Sequence, residues 1–317
     1  MWNWIRAARV LRERGVLGMN RRNADLIGPS NSRAAMRAVD DKFELHRRCA
    51  AAGIPSPRVL AAFDSVASLR SLPARLAGYE SFVLKPARGS GGRGILGFRI
   101  SRSGHPVSDF GLRVSDGRLT WSNVIDHAAD ILAGIFSLGG DPDIALAQER
   151  LGTHSELADI SPGGIPDIRV IVYRREPAMA MLRLPTRESG GRANLHQGGI
   201  GVAVDLVTGR TTHAILGGRS IHHHPDTGGV LVGRRVPGWF EVLAWSRQVA
   251  EVIGIGFCGV DVVIDPERGP LILEVNGRPG LAIQSVNRAG LLPRLESIDR
   301  AVRDGRSGGS TVVTRVA

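Results

Sequence analysis

The chain has 317 residues and is 43% hydrophobic, which is enough for one large core or for two or three small ones. A formal net charge of +11 permits contact with nucleic acid, an anionic membrane or an anionic substrate, but an ordinary Arg-rich surface accounts for it equally well. The two cysteines, Cys49 and Cys258, have neither metal-site nor disulfide spacing, and no uncharged apolar run reaches about 18 residues. These properties argue against a disulfide-stabilised secreted domain and a membrane-spanning chain, and they predict a cytoplasmic globular protein.

The first elements in chain order are helical and basic. Arg residues interrupt any apolar core in MWNWIRAARVLRERG, so residues 1–15 are not a signal peptide. An amphipathic helix would separate an apolar set from a basic set of side chains: Trp2, Ile5, Val10 and Leu11 against Arg6, Arg9, Arg12 and Arg14. Such a helix suits contact with the inner face of an anionic membrane or with a partner protein, and it suits packing on its own domain as well.

The next elements alternate between helix and strand. Residues 40–52 predict a helix with Asp40 as its N-cap and Gly53 as its end. The segments SFVLKP and ILGFRI predict the two strands of a hairpin around the loop RGSGGRG. A helix over WSNVIDHAADILAGIFSLGG, which ends in a glycine stop, and a strand over DIALAQERL follow.

The second half continues the mixture. DIRVIVYRREPAMAMLRLP predicts two strands around a turn at REP, and PTRESGGRANLHQGG predicts a glycine-rich loop. WFEVLAWSRQVAEVIG predicts a helix, and FCGVDVVIDPERGPLILEVNGRPG predicts a second hairpin. The end of the chain begins as a helix and passes into a Gly- and Ser-rich tail that frays.

The loop sequence GSGGRG fits the pattern G-x-G-x-x-G with Gly89, Gly91 and Gly94. A dinucleotide-binding fingerprint needs a helix after the glycines, whereas ILGFRI is strand-like, and the Gly-Lys-Ser/Thr end of a Walker A loop is absent. Protein kinases carry the pattern on a hairpin, but no His-Arg-Asp catalytic loop separates it here from Asp109-Phe110-Gly111. A glycine loop between two strands can still fold over phosphates with its backbone N–H groups, or it can be a plain hairpin tip.

Lysine is rare in this chain, because only Lys42 and Lys85 stand among the 41 Lys and Arg residues. Lys85 lies on the strand that leads into the glycine loop, where a compact ammonium group can reach a phosphate. Arg is bulkier and planar, so it would not replace Lys freely at such a position. The scarcity of Lys elsewhere marks both positions as candidate phosphate ligands, and chance retention of either one is the alternative.

The second hairpin carries three oxygen ligands. If residues 266–269 form a four-residue loop, Asp261 lies directly opposite Glu274, and Asn276 shares their face of the sheet. Two opposed acids repel unless a cation lies between them, and Asp, Glu and Asn oxygens suit Mg²⁺. The alternative is a pair of acids on a solvated face, but the three side chains together favour the metal site.

Together these motifs resemble the ATP-grasp superfamily, and within it the alpha-L-glutamate ligase-like proteins, relatives of the enzymes that add glutamate to a ribosomal protein. The resemblance covers about residues 40–285 and rests on DKFELHRRCAAAGIPSP, FVLKPARGSGGRGI, QER, DIRVIV, ANLHQGG and GVDVVIDPERGPLILEVNGRPG. It implies an α+β fold whose two lobes grip ATP between antiparallel sheets, after a short helical N-terminal extension. The implied domains are a basic helical segment (1–39), a first lobe with the glycine-rich loop (40–148), a second lobe with the metal-binding hairpin (149–300) and a frayed tail (301–317).

The resemblance also implies roles for individual residues. Lys42 and Lys85 would contact the phosphates or the adenine of ATP. The loop that closes over the phosphates would consist of Gly89, Ser90, Gly91, Gly92 and Gly94. The hinge at which adenine binds would contain Gln148 and Glu149. Arg169 would touch the phosphates, Arg183 would stabilise the reacting centre, and Arg192 and Asn194 would lie in the adjoining loop. Asp261, Glu274 and Asn276 would hold two Mg²⁺ ions, for which Mn²⁺ can substitute.

The implied activity is that of an ATP-dependent carboxylate–amine ligase. A small-molecule or peptide carboxylate would attack the γ-phosphate of ATP, and an amine would then attack the acylphosphate, so that glutamate or another amino acid is added and ADP and phosphate are released. The rivals are a kinase that phosphorylates a hydroxyl and a non-catalytic nucleotide-binding partner of a membrane-associated system. A specific nucleic acid is not expected, because no basic patch is interleaved with aromatic residues.

Other features leave questions open. Many members of the superfamily carry an α/β domain before the central one, whereas 41 residues precede Lys42, too few for such a domain, so the substrate is not implied. The run His222–His224 suggests a metal site, but consecutive side chains point in different directions and the following Pro225-Asp226 predicts a surface turn. His196 could approach a substrate or make a structural hydrogen bond. The oligomeric state does not follow from the sequence.

Overall fold

A computed structural model describes residues 2–89, 91–110, 119–137 and 139–305. The chain divides into two compact units. The five-stranded unit holds Asp40–Arg47 and Ser56–Leu151, and the seven-stranded unit holds the first 39 residues, Arg48–Pro55 and the chain from Gly152 onwards. Residues 1–39, which the sequence sets before the first lobe, therefore cluster with the seven-stranded unit.

The helices are mostly short and the strands are all antiparallel. The helices are α1 (Trp2–Glu13), α2 (Met19–Arg21), α3 (Gly28–Ser30), α4 (Arg33–Asp40), α5 (Lys42–Ala51), α6 (Val66–Leu69), α7 (Leu72–Leu76), α8 (Trp121–Leu132), α9 (Ser155–Ala158), α10 (Trp239–Ile253), α11 (Ile283–Asn287) and α12 (Leu292–Arg303), with a π-helix at Arg22–Ile27 and a 3₁₀ turn at Leu195–Gln197. The strands are β1 (Val59–Phe63), β2 (Ser81–Pro86), β3 (Leu96–Ile100), β4 (Pro106–Phe110), β5 (Ala145–Glu149), β6 (Asp167–Tyr173), β7 (Glu176–Leu184), β8 (Ile200–Val204), β9 (Thr211–Leu216), β10 (Arg219–Ile221), β11 (Phe257–Asp265) and β12 (Gly269–Asn276).

The five-stranded unit contains one sheet with the order β1-β5-β2-β3-β4. The predicted hairpin around the glycine loop is confirmed, because β2 and β3 pair with Phe82 opposite Phe98. Phe82 and Leu84 point into a core that α6, α7 and α8 complete. Side chains alternate along a strand, so Lys85 points to the face opposite that core.

The seven-stranded unit contains a sheet with the order β10-β9-β8-β7-β6-β11-β12. Ile171 on β6 and Met179 on β7 share a core with Ile283 of α11 and Leu295 of α12. Since both units combine helices with an antiparallel sheet, the predicted α+β class is confirmed. No helix in the described ranges has both the length and the apolar character needed to cross a membrane.

The β11–β12 hairpin confirms one prediction and corrects another. Asp261 pairs with Glu274 as predicted, but Asp265 pairs with Gly269, so the loop has three residues rather than four. The Asp265 carboxylate accepts the backbone N–H groups of Glu267 and Arg268, and Gly269 takes a left-handed φ of 71°, which closes this shorter turn. A bulge in β12, after the Asp261–Glu274 pair, restores the register that the loop length shifts by one.

Two further local predictions are wrong. Asp40 is the last residue of α4, and α5 is capped instead by Asp41, whose carboxylate accepts the N–H groups of Phe43 and Glu44. The turn between β6 and β7 lies at Arg174 and Arg175, not at REP, because these two residues take the positive φ angles that a tight hairpin requires.

At the other end of the chain, α12 continues to Arg303, so the predicted tail at 301–317 begins as helix, and its residues 306–317 lie outside the described ranges. At the end of α5, Gly53 has a φ of 67°, and the predicted stop is confirmed.

Candidate functional site

The two lysines lie at the approach to the glycine loop in the five-stranded unit. Lys42 is 8% exposed and Lys85 is 5% exposed. The Lys42 ammonium donates to the backbone oxygen of Gly89 at 2.6 Å, and its backbone N–H donates to Ala87 at 2.9 Å. Two ammonium groups beside this loop are suited to charge-assisted hydrogen bonds with a phosphate, which is the role that the sequence predicts for them.

The predicted phosphate loop is held at both ends. Gly89 bridges to Ser137, and the backbone oxygen of Gly94 lies 3.0 Å from Nε2 of His127. Gly91, Gly92 and Gly94 have φ angles of 64°, 74° and 71°, which are conformations that favour glycine. Ser90, also predicted to bind phosphate, lies outside the described residues. The loop therefore combines fixed ends with three glycines whose backbone conformations favour glycine.

Gly94→Ala is expected to lower the free energy of unfolding by about 2–4 kcal/mol, because strain from the left-handed backbone adds to overpacking. A Cβ at this position would lie 2.6 Å from Cγ of Phe136. Gly104→Ala is the matched control, since Gly104 has a φ of 79° but no atom within 4 Å of its added Cβ. Urea denaturation of both variants measures the difference, and equal losses would contradict the packing argument.

The two predicted hinge residues on β5 have different surroundings. Gln148 is 3% exposed and pairs with Val83, so its side chain lies on the same face of the sheet as Lys85. Its Nε2 has no hydrogen-bond partner among the described residues. Glu149 instead binds Arg58, whose backbone N–H and Nε donate to its carboxylate at 2.8 and 2.7 Å. Glu149 thus ties β5 to the residue before β1, whereas the Gln148 amide nitrogen makes no such hydrogen bond within the described residues.

His46 is a site residue that sequence reasoning missed. It is 4% exposed, and neither ring nitrogen has a hydrogen-bond partner in the described part of the chain. Burial, together with the positive charges of Lys85 and Lys42, lowers the pKa of His46 to about 3. The imidazole is therefore neutral at pH 7. A single His in DKFELHRRC belongs to no recognisable motif, so the sequence alone does not indicate that this side chain is buried near the two lysines.

In the seven-stranded unit, two arginines converge on one aspartate. Arg169 donates to both carboxylate oxygens of Asp261, at 2.7 and 2.6 Å, and Arg183 donates to one of them at 2.8 Å. Arg183 also binds Asp167, with its Nη2 2.7 Å from Oδ2. Asp167 is a second residue that the sequence analysis missed, and it faces Arg183 directly across β6 and β7.

The charges of this network set the pKa values of its members. Burial opposes ionisation of Asp261, but Arg169 and Arg183 outweigh it and lower the pKa of this carboxyl group. Burial raises the pKa of Asp167 more than the Arg183 charge lowers it, and the pKa of this carboxyl group is about 6. Burial also acts to lower the pKa of Arg183, yet the two aspartates raise it. Asp261 is thus firmly ionised, as a metal ligand must be.

The three predicted metal ligands lie together. Asp261 pairs with Glu274 across β11 and β12, and Nδ2 of Asn276 donates to Asp261 at 3.1 Å. Within the described ranges, no group of three or more His, Cys, Asp or Glu side chains could hold a metal, so an ion here needs the Asn276 amide beside the two acids. Carboxylate and amide oxygens are hard ligands, and this donor set fits Mg²⁺ or Mn²⁺ better than a softer metal.

The remaining predicted residues lie in the loop between β7 and β8. Arg192 is exposed, and the side chain of Asn194 accepts the backbone N–H of His196 at 3.0 Å, which caps the 3₁₀ turn. His196 is exposed as well. His224 is buried, with Nε2 2.9 Å from the backbone oxygen of Pro185, so its role is structural.

Comparison with known proteins gives a family match over most of the chain. A family model described as sugar-transfer associated ATP-grasp matches residues 21–300. A curated relative, a probable alpha-L-glutamate ligase from Maridesulfovibrio salexigens, is 28% identical over 122 residues, or 38% of this chain. The aligned part spans 29% of that relative's own length.

Solved structures with similar folds are distant in sequence. The ATP-grasp ligase PsnB, in complex with a minimal precursor, is 15% identical, with 86% of this chain and 63% of PsnB covered and a TM-score of 0.44. A RimK domain protein from Sphaerobacter thermophilus is 18% identical, with 84% and 70% covered and a TM-score of 0.43. The D-alanine–D-alanine ligase of Bacillus anthracis is 13% identical, with 86% and 71% covered and a TM-score of 0.46.

Proposed function

The chain belongs to the sugar-transfer associated ATP-grasp family, and on that premise we propose that it joins a carboxylate to an amine at the expense of ATP. The carboxylate oxygen attacks the γ-phosphorus of ATP, and ADP leaves. The amine nitrogen then attacks the acyl carbon, phosphate leaves, and the nitrogen loses a proton. The substrate is a small-molecule or peptide carboxylate, and the amine belongs to glutamate or another amino acid.

One observation carries this proposal: a row of Arg169, Asp261 and Glu274 crosses three neighbouring strands, with Asn276 bonded to Asp261. Asp261, Glu274 and Asn276 would hold one or two Mg²⁺ ions. The metal, when bound, neutralises charge on the phosphates and on the group in transfer. A set of buried acids and arginines of this kind would be costly to retain without a ligand that uses it.

The arginines have hydrogen-bonding capacity left for a substrate. Arg169 and Arg183 bind their aspartates through Nε and Nη2, and within the described residues Nη1 of neither donates a hydrogen bond. The aspartates hold each guanidinium in place, so these Nη1 groups can contact phosphate oxygens without first becoming ordered. Arg192 and Asn194, in the loop after β7, would contact the substrate from that side.

The nucleotide would be held by Lys42, Lys85 and the loop from Gly89 to Gly94. The ammonium groups would bind phosphate oxygens, and the loop would cover them with backbone N–H groups. Covering the acylphosphate protects it from hydrolysis before the amine arrives. The buried amide nitrogen of Gln148, which makes no hydrogen bond to a described residue, would bind the base.

The test is release of ADP and phosphate from Mg²⁺-ATP by the full chain, against a panel of carboxylates with and without amines, with mass spectrometry of the products. A ligase requires both substrates and yields an amide. A phosphorylated hydroxyl compound would identify a kinase and overturn the proposal. ATP binding without any product across the panel would favour a non-catalytic partner.

We also propose that α1 binds anionic membrane surfaces. Arg6 and Arg12 of this helix and Arg14 just after it are exposed, and Leu11 is 51% exposed rather than packed on the unit. Basic residues near an anionic surface contribute about 1 kcal/mol each. Sedimentation with vesicles of phosphatidylglycerol should carry the chain down, and phosphatidylcholine vesicles should not. An Arg6/Arg12/Arg14→Gln variant that sediments like the wild type would overturn this proposal.

A further inference from the structure

Three buried basic side chains gather in the five-stranded unit. His46 follows Lys42 by one helical turn on α5, and their side chains therefore lie on the same face of that helix. Lys85 reaches the same place from β2, since both ammonium charges act on the His46 ring. Lys42, His46 and Lys85 are 8%, 4% and 5% exposed. Three groups of this kind rarely meet in a protein interior without a ligand that they share.

The hydrogen bonding of this cluster is incomplete. A neutral imidazole has one N–H donor and one acceptor nitrogen, and both ring nitrogens of His46 lack a partner in the described part of the chain. Nearly all buried polar groups in proteins are paired, and an unpaired one costs about 1–3 kcal/mol. Gln148, on the same sheet face as Lys85, carries another unpaired donor. The unsatisfied groups thus lie on the lysine side of the sheet.

A phosphate group matches this arrangement. Its oxygens accept hydrogen bonds, and their negative charge strengthens the hydrogen bonds that ammonium groups donate to them. A neutral imidazole adds a directional donor without placing a third positive charge beside Lys42 and Lys85. A third lysine or an arginine at the same position would be repelled by both. The residue type at position 46 therefore suits a phosphate site that already holds two cations.

We propose that His46 is a third phosphate ligand of the nucleotide site, and that its single ring N–H group donates to an oxygen of the phosphate bound by Lys42 and Lys85. This inference rests on the proposed function, which assigns the two lysines to ATP. The unpaired donor of Gln148 is assigned to the base, so His46 and Gln148 would bind different parts of the nucleotide.

Calorimetric titration with ADP and with adenosine tests this assignment, because only ADP carries phosphates. His46→Leu should weaken ADP binding about 10- to 150-fold, since a lost hydrogen bond to a charged group costs about 1.5–3 kcal/mol. Its affinity for adenosine should stay within about twofold. His46→Gln, which keeps a donor, should recover most of the ADP affinity. Arg47→Leu, on the exposed face of α5, is the matched control and should change neither affinity.

Thermal unfolding without nucleotide gives a second readout. Because His46→Leu removes unpaired polar atoms from the interior, its unfolding midpoint should equal or exceed that of the wild type. Equal ADP affinities for wild type and His46→Leu would overturn the inference. A parallel loss of ADP and adenosine affinity, or a lowered midpoint, would do the same by indicating a structural role. A wild-type chain that binds no ADP would instead overturn the proposed function, on which the inference rests.

Discussion

Asp261→Ala is expected to abolish Mg²⁺-dependent ADP release and to lower the free energy of unfolding by about 3–5 kcal/mol. Asp261 accepts hydrogen bonds from both Arg169 and Arg183, so its removal leaves buried guanidinium charge with less compensation. It also removes one of three proposed metal ligands, which should reduce turnover by about 100-fold or more. Urea denaturation and an ADP-release assay measure the two losses separately.

Glu274→Gln separates the metal role from the structural role. Glu274 lies opposite Asp261 but is half-buried and makes no hydrogen bond to either arginine of the network. The variant should therefore lose turnover to a similar extent with a much smaller loss of stability. If Asp261→Ala unfolds like the wild type, or if Glu274→Gln turns over normally, the site is wrongly assigned.

Lys85→Arg is expected to weaken ADP binding by about 100-fold or more, although the positive charge is kept. Lys85 is 5% exposed on a central strand beside His46, and the planar guanidinium is longer and wider than the ammonium group. Lys85→Met, which keeps the length and removes the charge, should lose affinity as well. Titration calorimetry with ADP measures both.

The control for this prediction is a charge-preserving exchange elsewhere in the same unit. Arg70→Lys changes an exposed residue after α6, and its ADP affinity should stay within about twofold of the wild type. Lys85→Arg binding ADP as tightly as the wild type would show that any cation suffices at position 85. The rarity of lysine in the chain would then be accidental.

Local patterns predict much of the fold. Period-two alternation identifies the strands around the glycine loop, and the paired positions Asp261 and Glu274 follow from the second hairpin. The second of these predictions was correct because two one-residue errors, in the loop length and in the register of β12, cancelled. The loop is shorter than predicted, and the β12 bulge restores the register, so only the structure explains why the acids face each other.

The missed site residues share a physical cause. Asp167 contacts Arg183 because β6 pairs with β7. Asp261 contacts Arg169 because β11 pairs with β6, which is far away in sequence. His46 becomes a candidate site residue only because it is buried beside Lys85, and that position depends on how α5 packs against the sheet. Strand order and burial depend on contacts between residues far apart in sequence, and these contacts produce no local sequence pattern. The sequence therefore predicts some residues of each cluster, but not which other residues they contact.

The near-absence of lysine has a chemical consequence. Reagents that acylate or alkylate primary amines usually mark a protein at many surface positions, but here the only side chains with such an amine are Lys42 and Lys85, both buried. Apart from the terminal amine, labelling would report on the environment of these two groups alone. The rate at which Lys42 and Lys85 are modified would therefore report how often the glycine-loop region opens to solvent and whether a ligand occupies it.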